Sequence, residues 1–287
     1  MSLLHVNQLG HGYRSGGLLS RRGWLQVLDG IELELQPGES LGLLGSSGSG
    51  SGKSTLARLL LGLEKPACGQ VTFAGQEVSR LRGGDARAFL RAVQLVLQDA
   101  PSAFNPQRSI GWSIAEPLRH LSELDEAARN ARTVELLEHM GLRSEHAERL
   151  PHQLSGGQLQ RANIARALAI SPKLVILDEA LSNLDRVLQL QLLQRLDALR
   201  REHGTAFLLI THDLSLVRYF CQRVVVLDAG RIIEERQIDG RLSFDHAVGK
   251  QLQAAVLPVR PPMREPEAGS PADLSPAAVR ATTRLSV

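Results

Sequence analysis

A short apolar run at 41–44 leads into a glycine- and serine-rich stretch that ends Ser51-Gly52-Lys53-Ser54-Thr55, and apolar residues then recur over 56–61 until Gly62. A strand, a glycine-rich turn and a helix opening at a lysine form the local context of a phosphate-binding loop. Glycines leave backbone N–H groups free to converge on phosphate oxygens, and the helix start adds the positive end of its dipole. The chemistry assigns Gly50, Ser51, Gly52 and Thr55 to the cradle and Lys53 to the β- and γ-phosphates. It assigns the Ser54 hydroxyl to Mg²⁺. The spacing departs from the usual pattern, which wants glycine five residues before Gly52, where Ser47 stands; Gly45 lies seven before it. An added Ser-Gly unit either bulges outward and leaves the cradle from Gly50 to Thr55 intact, or misplaces the amides.

The rest of the chain alternates between strand and helix patterns, the mark of an α/β protein. Strands are predicted at 3–9, 31–35, 71–73, 93–97, 174–177 and 206–210, with a closing hairpin of 224–227 and 231–235 around Asp228-Ala229-Gly230. Between about 102 and 169 the pattern turns helical, with helices expected at 123–140 and 158–170. This segment reads as a helical insert within an α/β core. An amphipathic helix follows at 187–200.

The strand at 174–177 ends in Asp178-Glu179. Open α/β sheets bind ligands at the carboxyl ends of their strands, so both acids are delivered to a ligand edge. Taken alone, such a pair is equally a solvated turn. Beside a phosphate loop, Asp178 suits the Mg²⁺ shell and Glu179 suits orientation of the attacking water. Leu154-Ser155-Gly156-Gly157-Gln158 opens the helix at 158–170, and Gln158 lies 20 residues before Asp178. Ser155 is a capping residue and two glycines expose amides, which makes a second helix opening suited to an anion.

These three stretches together resemble the ATPases of the ABC family. The resemblance implies a P-loop ABC cassette: a RecA-like core, an antiparallel β region and an inserted α-helical subdomain. It implies a head-to-tail pair of cassettes in which each ATP lies between Lys53 of one and Ser155, Gly156, Gly157 and Gln158 of the other. It also gives roles to further residues. Gln98 is similar to the glutamine that senses Mg²⁺ and leads into the insert, and Ser182-Asn183-Leu184-Asp185 to the D-loop, with Asn183 where alanine is commoner. His212 resembles the histidine that contacts the γ-phosphate. Tyr13 resembles the aromatic that stacks on adenine, with Trp24 as a competing candidate.

Leu97-Gln98-Asp99-Ala100-Pro101-Ser102-Ala103-Phe104-Asn105-Pro106 narrows the resemblance to the peptide and nickel importer branch. Ser182-Asn183-Leu184-Asp185, Phe220-Cys221-Gln222-Arg223-Val224 and Ala255-Val256-Leu257-Pro258 are most similar to its nickel-import ATPases. That likeness implies ATP and Mg²⁺ as cofactors, a second ATPase subunit, two membrane permeases and a periplasmic substrate-binding protein. It places the chain peripherally on the cytoplasmic face of a bacterial inner membrane. A dipeptide or oligopeptide importer ATPase is the alternative, as is a weakly hydrolysing, nucleotide-binding regulatory partner with an enlarged loop.

Composition bounds these readings. With 33 Lys plus Arg against 30 Asp plus Glu, the charge is too even to suggest a nucleic-acid binder. The longest apolar run, 206–210, is a quarter of the roughly 20 residues that span a bilayer, and residues 1–12 do not have the pattern of a secretory signal. Any membrane role is therefore expected to come through docking. The two cysteines read as small core or loop residues, and no histidine or cysteine spacing suggests a nickel site. Residues 1–257 are expected to form the ATP-binding domain. Residues 258–287 hold six of the 13 prolines and are expected to be disordered, with too little apolar area to offset ordering entropy.

Overall fold

A computed structural model describes residues 2–15, 23–45, 51–240 and 242–255. The expected tail at 258–287 and the irregular loop segment at 46–50, which includes Gly50, lie outside the described residues. In chain order the described elements begin with β1 (Leu4–Ser15), β2 (Gly23–Leu35), β3 (Ser40–Gly45), α1 (Lys53–Leu60), β4 (Cys68–Phe73) and β5 (Gln76–Glu77). There follow α2 (Gly83–Ala92), β6 (Val93–Val96), α3 (Ile110–Leu121), α4 (Glu126–His139) and α5 (Gly156–Leu168). The remainder comprises β7 (Leu174–Asp178), α6 (Arg186–His203), β8 (Ala206–Thr211), α7 (Leu214–Phe220), β9 (Arg223–Asp228), β10 (Arg231–Gln237) and α8 (Ala247–Ala254).

Two sheets form. One is antiparallel, in the order β2-β1-β4-β5, and the other runs β10-β9-β3-β8-β7-β6. In the second sheet β9, β3, β8, β7 and β6 are parallel, and β10 closes it as the antiparallel arm of the expected hairpin. Strands β3, β7 and β8 are buried along their whole length. That burial explains why they read as continuous apolar runs: a parallel strand covered on both faces has no solvent side to alternate with. Over 31–35, β2 instead alternates buried and exposed residues, as its sequence predicts.

Successive side chains on β7 and β8 go to opposite faces. Leu174, Ile176, Ala206, Leu208 and Ile210 join the core shared with the antiparallel sheet and α1. Val175, Leu177, Phe207 and Leu209 join the core shared with α3–α7. The central sheet thus separates two apolar clusters and carries the site at its edge.

The insert contains α3 and α4 ahead of α5, whereas the sequence suggested only the last two helices. Helix α3 contains Pro117, and its start is fixed at Ser109, whose hydroxyl accepts the Trp112 N–H at 3.2 Å. Asp125 caps α4 through the Ala128 N–H at 2.8 Å, which sets its start three residues after the expected one. Helices α2, α7 and α8 were not anticipated. Cys221 is buried, whereas Cys68 opens β4 and is exposed, neither a core nor a loop residue; both thiols are free.

Candidate nucleotide site

Strand β3 ends at Gly45 and α1 begins at Lys53, so the described part of the phosphate loop sits at the carboxyl edge of a strand in the middle of the central sheet. Gly52 caps α1 with φ +89°, a left-handed conformation that L side chains rarely adopt. A Cβ there would also stand 2.7 Å from Leu28 Cδ2 and 3.0 Å from the Val27 carbonyl oxygen. This glycine is therefore required twice, by its torsion and by the close approach of β2.

Lys53 is 8% exposed. Its ammonium donates to Ser51 Oγ at 2.9 Å and to the Gly45 carbonyl at 3.4 Å. Burial lowers its pKa, while the charges of Glu179 and Asp178 act the other way. Asp178, 6% exposed at the end of β7, is shifted upward: burial dominates and Glu179 adds to it, while a hydrogen bond with Ser54 and the charges of Lys53 and Arg58 oppose it. A buried lysine, a buried carboxylate and a serine hydroxyl thus meet at one strand edge, with the carboxylate's negative charge costly to maintain.

Glu179 follows at once, in a left-handed conformation with φ +49° that is strained for a residue bearing a Cβ. Its N–H donates to the Ile210 carbonyl at 3.0 Å. Its carboxylate lies 3.1 Å from Nδ1 of His212, which follows β8. Parallel pairing of β7 with β8 brings these two residues together across 33 positions of sequence.

A cleft of about 330 Å³ runs along the loop, lined by Tyr13, Val27, Ser51, Gly52, Lys53, Ser54, Thr55 and Arg58. Of the two aromatic candidates, Tyr13 lines it; Trp24 is 54% exposed on the neighbouring strand opposite Arg14. The Tyr13 hydroxyl donates to Glu64 Oε2 at 2.8 Å and stands 3.4 Å from Thr55 Oγ1. Sequence reasoning missed Arg58 and Glu64. Arg58 lies four residues after Ser54 on α1, on the same face of the helix, a spacing from which its place near the cleft was readable. Glu64 follows the end of that helix and carried no such signal.

The other predicted residues lie on separate elements. Ser155 caps α5: its hydroxyl accepts the Gln158 N–H at 3.3 Å, and the Gln158 amide oxygen accepts the Ser155 N–H at 2.8 Å. This reciprocal capping box fixes the direction of the helix opening. A Cβ on Gly156 would meet nothing within 4 Å, so the backbone there is not crowded by neighbouring elements. Asp185 caps α6 through the Leu188 N–H at 3.0 Å. Gln98 is exposed just past the end of β6. None of Gln98, Ser155, Gly156, Gly157, Gln158 and Asp185 lines the described cleft.

The ABC transporter family model matches residues 28–182. The nickel import ATP-binding protein NikE of Pseudomonas putida is 75% identical over 94% of this chain and 98% of its own length. That of Rhodospirillum rubrum is 50% identical over 90% and 93%. Among solved structures, the ATP-binding cassette MJ0796, dimeric in a post-hydrolysis state with ADP and Pi, superimposes with a TM-score of 0.75 at 28% identity, covering 83% of this chain and 99% of that one. CbiO1 of Clostridium perfringens, part of the transporter complex cbiONQ, gives 0.71 at 26% identity, covering 83% and 89%. The phosphate loop on β3, the acids on β7 and the family model that spans both lead to one conclusion: this chain belongs to the ABC transporter family, as an ATP-binding cassette.

Proposed function

We propose that the chain is the ATP-hydrolysing subunit of an importer that takes up nickel through separate permease subunits. The observation that carries the reading is its 75% identity, across 94% of its length, with a protein named for nickel import. No helix among the described residues is long and apolar enough to cross a membrane, so the reading places the cargo path in partners. Those partners are a second ATPase, two permeases and, through them, a periplasmic substrate-binding protein. The cassette then works peripherally at the cytoplasmic face of the inner membrane.

In this reading Lys53 neutralises the β- and γ-phosphates, and loop amides with the α1 opening hold their oxygens. Tyr13 offers its ring to the adenine. The residues present fit Mg²⁺: Asp178 is a buried carboxylate hydrogen-bonded to Ser54, and two hard oxygens are what such a cation prefers. Asp178, Ser54 and Gln98 would hold it, and when bound it neutralises charge on the phosphates. Glu179 orients the attacking water, and His212, 3.1 Å away, holds that carboxylate and meets the γ-phosphate. Ser155, Gly156, Gly157 and Gln158 grip the nucleotide of the partner cassette, with Asp185 beside them at the start of α6. ATP thereby closes the pair and its cleavage lets it part.

Uptake of radioactive nickel by cells carrying the whole transporter tests the reading. Glu179→Gln is expected to keep ATP binding but abolish turnover and uptake. Uptake of dipeptides in place of nickel would defeat the substrate assignment. Because residues 46–50 lie outside the described structure, the regulatory alternative is tested by turnover of the chain with its partner ATPase, beside a variant lacking Ser46 and Ser47. Full turnover in both removes that alternative.

A further inference from the structure

The segment that carries Gln98 has no strand to hold it. Pairing of β6 with β7 ends at Val96, and Leu97, Gln98 and Asp99 are all exposed. Two side-chain amides from distant elements grip its backbone instead. Gln160, on the second turn of α5, donates through Nε2 to the Leu97 carbonyl at 3.3 Å. Asn183, in the turn between β7 and α6, donates through Nδ2 to the Gln98 carbonyl at 3.3 Å. The same Gln98 oxygen accepts the Ala100 N–H at 3.2 Å, which closes the turn into the insert.

Each amide is itself tied to a functional element. Asn183 belongs to a turn closed on Glu179, whose carbonyl accepts the Ser182 hydroxyl at 2.8 Å and the Ser182 N–H at 3.2 Å. The same turn ends at Asp185, the cap of α6. Gln160 lies on the helix that opens at Ser155, two residues beyond Gln158. It is 1% exposed, and its Oε1 has no hydrogen-bond partner among the described residues. A shielded acceptor without a donor costs free energy. The protein therefore keeps a polar strut here where an apolar side chain would fill the same space more cheaply.

We propose that Asn183 and Gln160 are positioning residues for the nucleotide cycle, coupling the Gln98 segment to the turn after Glu179 and to the helix that opens at Ser155. The inference rests on the reading of Gln98 as a residue that follows the bound nucleotide. A shift of Gln98 then pulls on the Asp185 turn through one amide and on α5 through the other. Asn183 supplies a link that alanine, the commoner residue in similar D-loops, cannot make.

Hydrogen exchange of full-length Asn183→Asp and Gln160→Met chains, with and without Mg-ATP, reads this directly. Asn183→Asp keeps the shape but loses the donor. Its amides at 97–100 are expected to exchange about three- to tenfold faster, the weight of one net hydrogen bond. Protection brought by Mg-ATP at 97–100 no longer tracks that at 181–185, while ATP affinity stays within about twofold of the parent. Gln160→Met is expected to loosen 97–100 by a similar factor while keeping or raising the unfolding midpoint, because the shielded acceptor leaves with the donor. A purely structural residue would lower the midpoint instead. Unchanged exchange at 97–100 in both variants overturns the proposal. Gln98→Ala separates this from the underlying reading. Parental turnover and Mg-ATP affinity in that variant would remove the role of Gln98 itself. Lost turnover there, with unaltered exchange in the other two, would remove only the amide links.

Discussion

Gly52→Ala is the substitution whose cost the structure sets most directly. At φ +89° an alanine pays the left-handed penalty of about 1–2 kcal/mol. The new methyl also falls 2.7 Å from Leu28 Cδ2 and 3.0 Å from the Val27 oxygen. Leu28 is fully buried and Val27 offers backbone, so neither yields easily, and overpacking of this kind costs about 1–3 kcal/mol. The two effects together come to about 2–5 kcal/mol. If the loop holds its place, the loss appears in the free energy of unfolding, measured by denaturant titration without nucleotide. If the loop moves aside, ATP binding bears the cost, because the cradle must be restored. At 1.4 kcal/mol per tenfold, ATP affinity then falls by about 30-fold to several thousandfold. Gly156→Ala is the control. Its methyl meets nothing within 4 Å, so stability is expected to hold or to rise by up to about 1 kcal/mol. ATP affinity of the isolated chain is expected to stay unchanged. A Gly52→Ala chain with parental unfolding free energy and parental ATP affinity would show that neither the left-handed torsion nor the approach of β2 demands glycine here.

Three further outcomes follow from the site. Asp178 has its pKa raised by burial, so the folded state binds the proton more tightly than the unfolded chain, and the stability gained from that proton is lost as pH rises from the ordinary carboxylate range through the raised value. Asp178→Asn is thus expected to raise the melting temperature of the nucleotide-free protein at neutral pH and to flatten its pH dependence in that window, while turnover is lost; a lower melting temperature would contradict this. Lys53→Met is expected to abolish ATP binding without destabilising the nucleotide-free chain, because a charge held at a desolvation cost is removed; calorimetry and ATP titration together check it. Asp185→Ala removes the cap of α6 at a cost of about 1 kcal/mol, and thermal unfolding is expected about 2–4 °C lower.

Local chemistry made much of this protein legible from its residues. Each buried strand announced itself as an apolar run, Gly62 ended α1, Ser155 opened α5, and Asp178-Glu179 closed β7 as expected. Such features depend on neighbours within a turn or two of chain, so composition and spacing carry them. Helix α3 was hidden because Pro117 weighs as a breaker in any local reading, whereas packing of Ile110, Ile114 and Leu118 into the core outweighs it.

Residue order alone carries the succession of parts: strand, phosphate loop, insert, capped helix and acid pair. The tertiary structure alone decided which parts meet. It set β3 between β9 and β8, brought Glu179 against His212, chose Tyr13 over Trp24 as the wall of the cleft and placed the Asn183 amide on the Gln98 carbonyl 85 residues away. Periodicity reports which face of an element is buried. It carries no record of the neighbour that buries it, because long-range strand pairing and packing are settled by the whole chain at once.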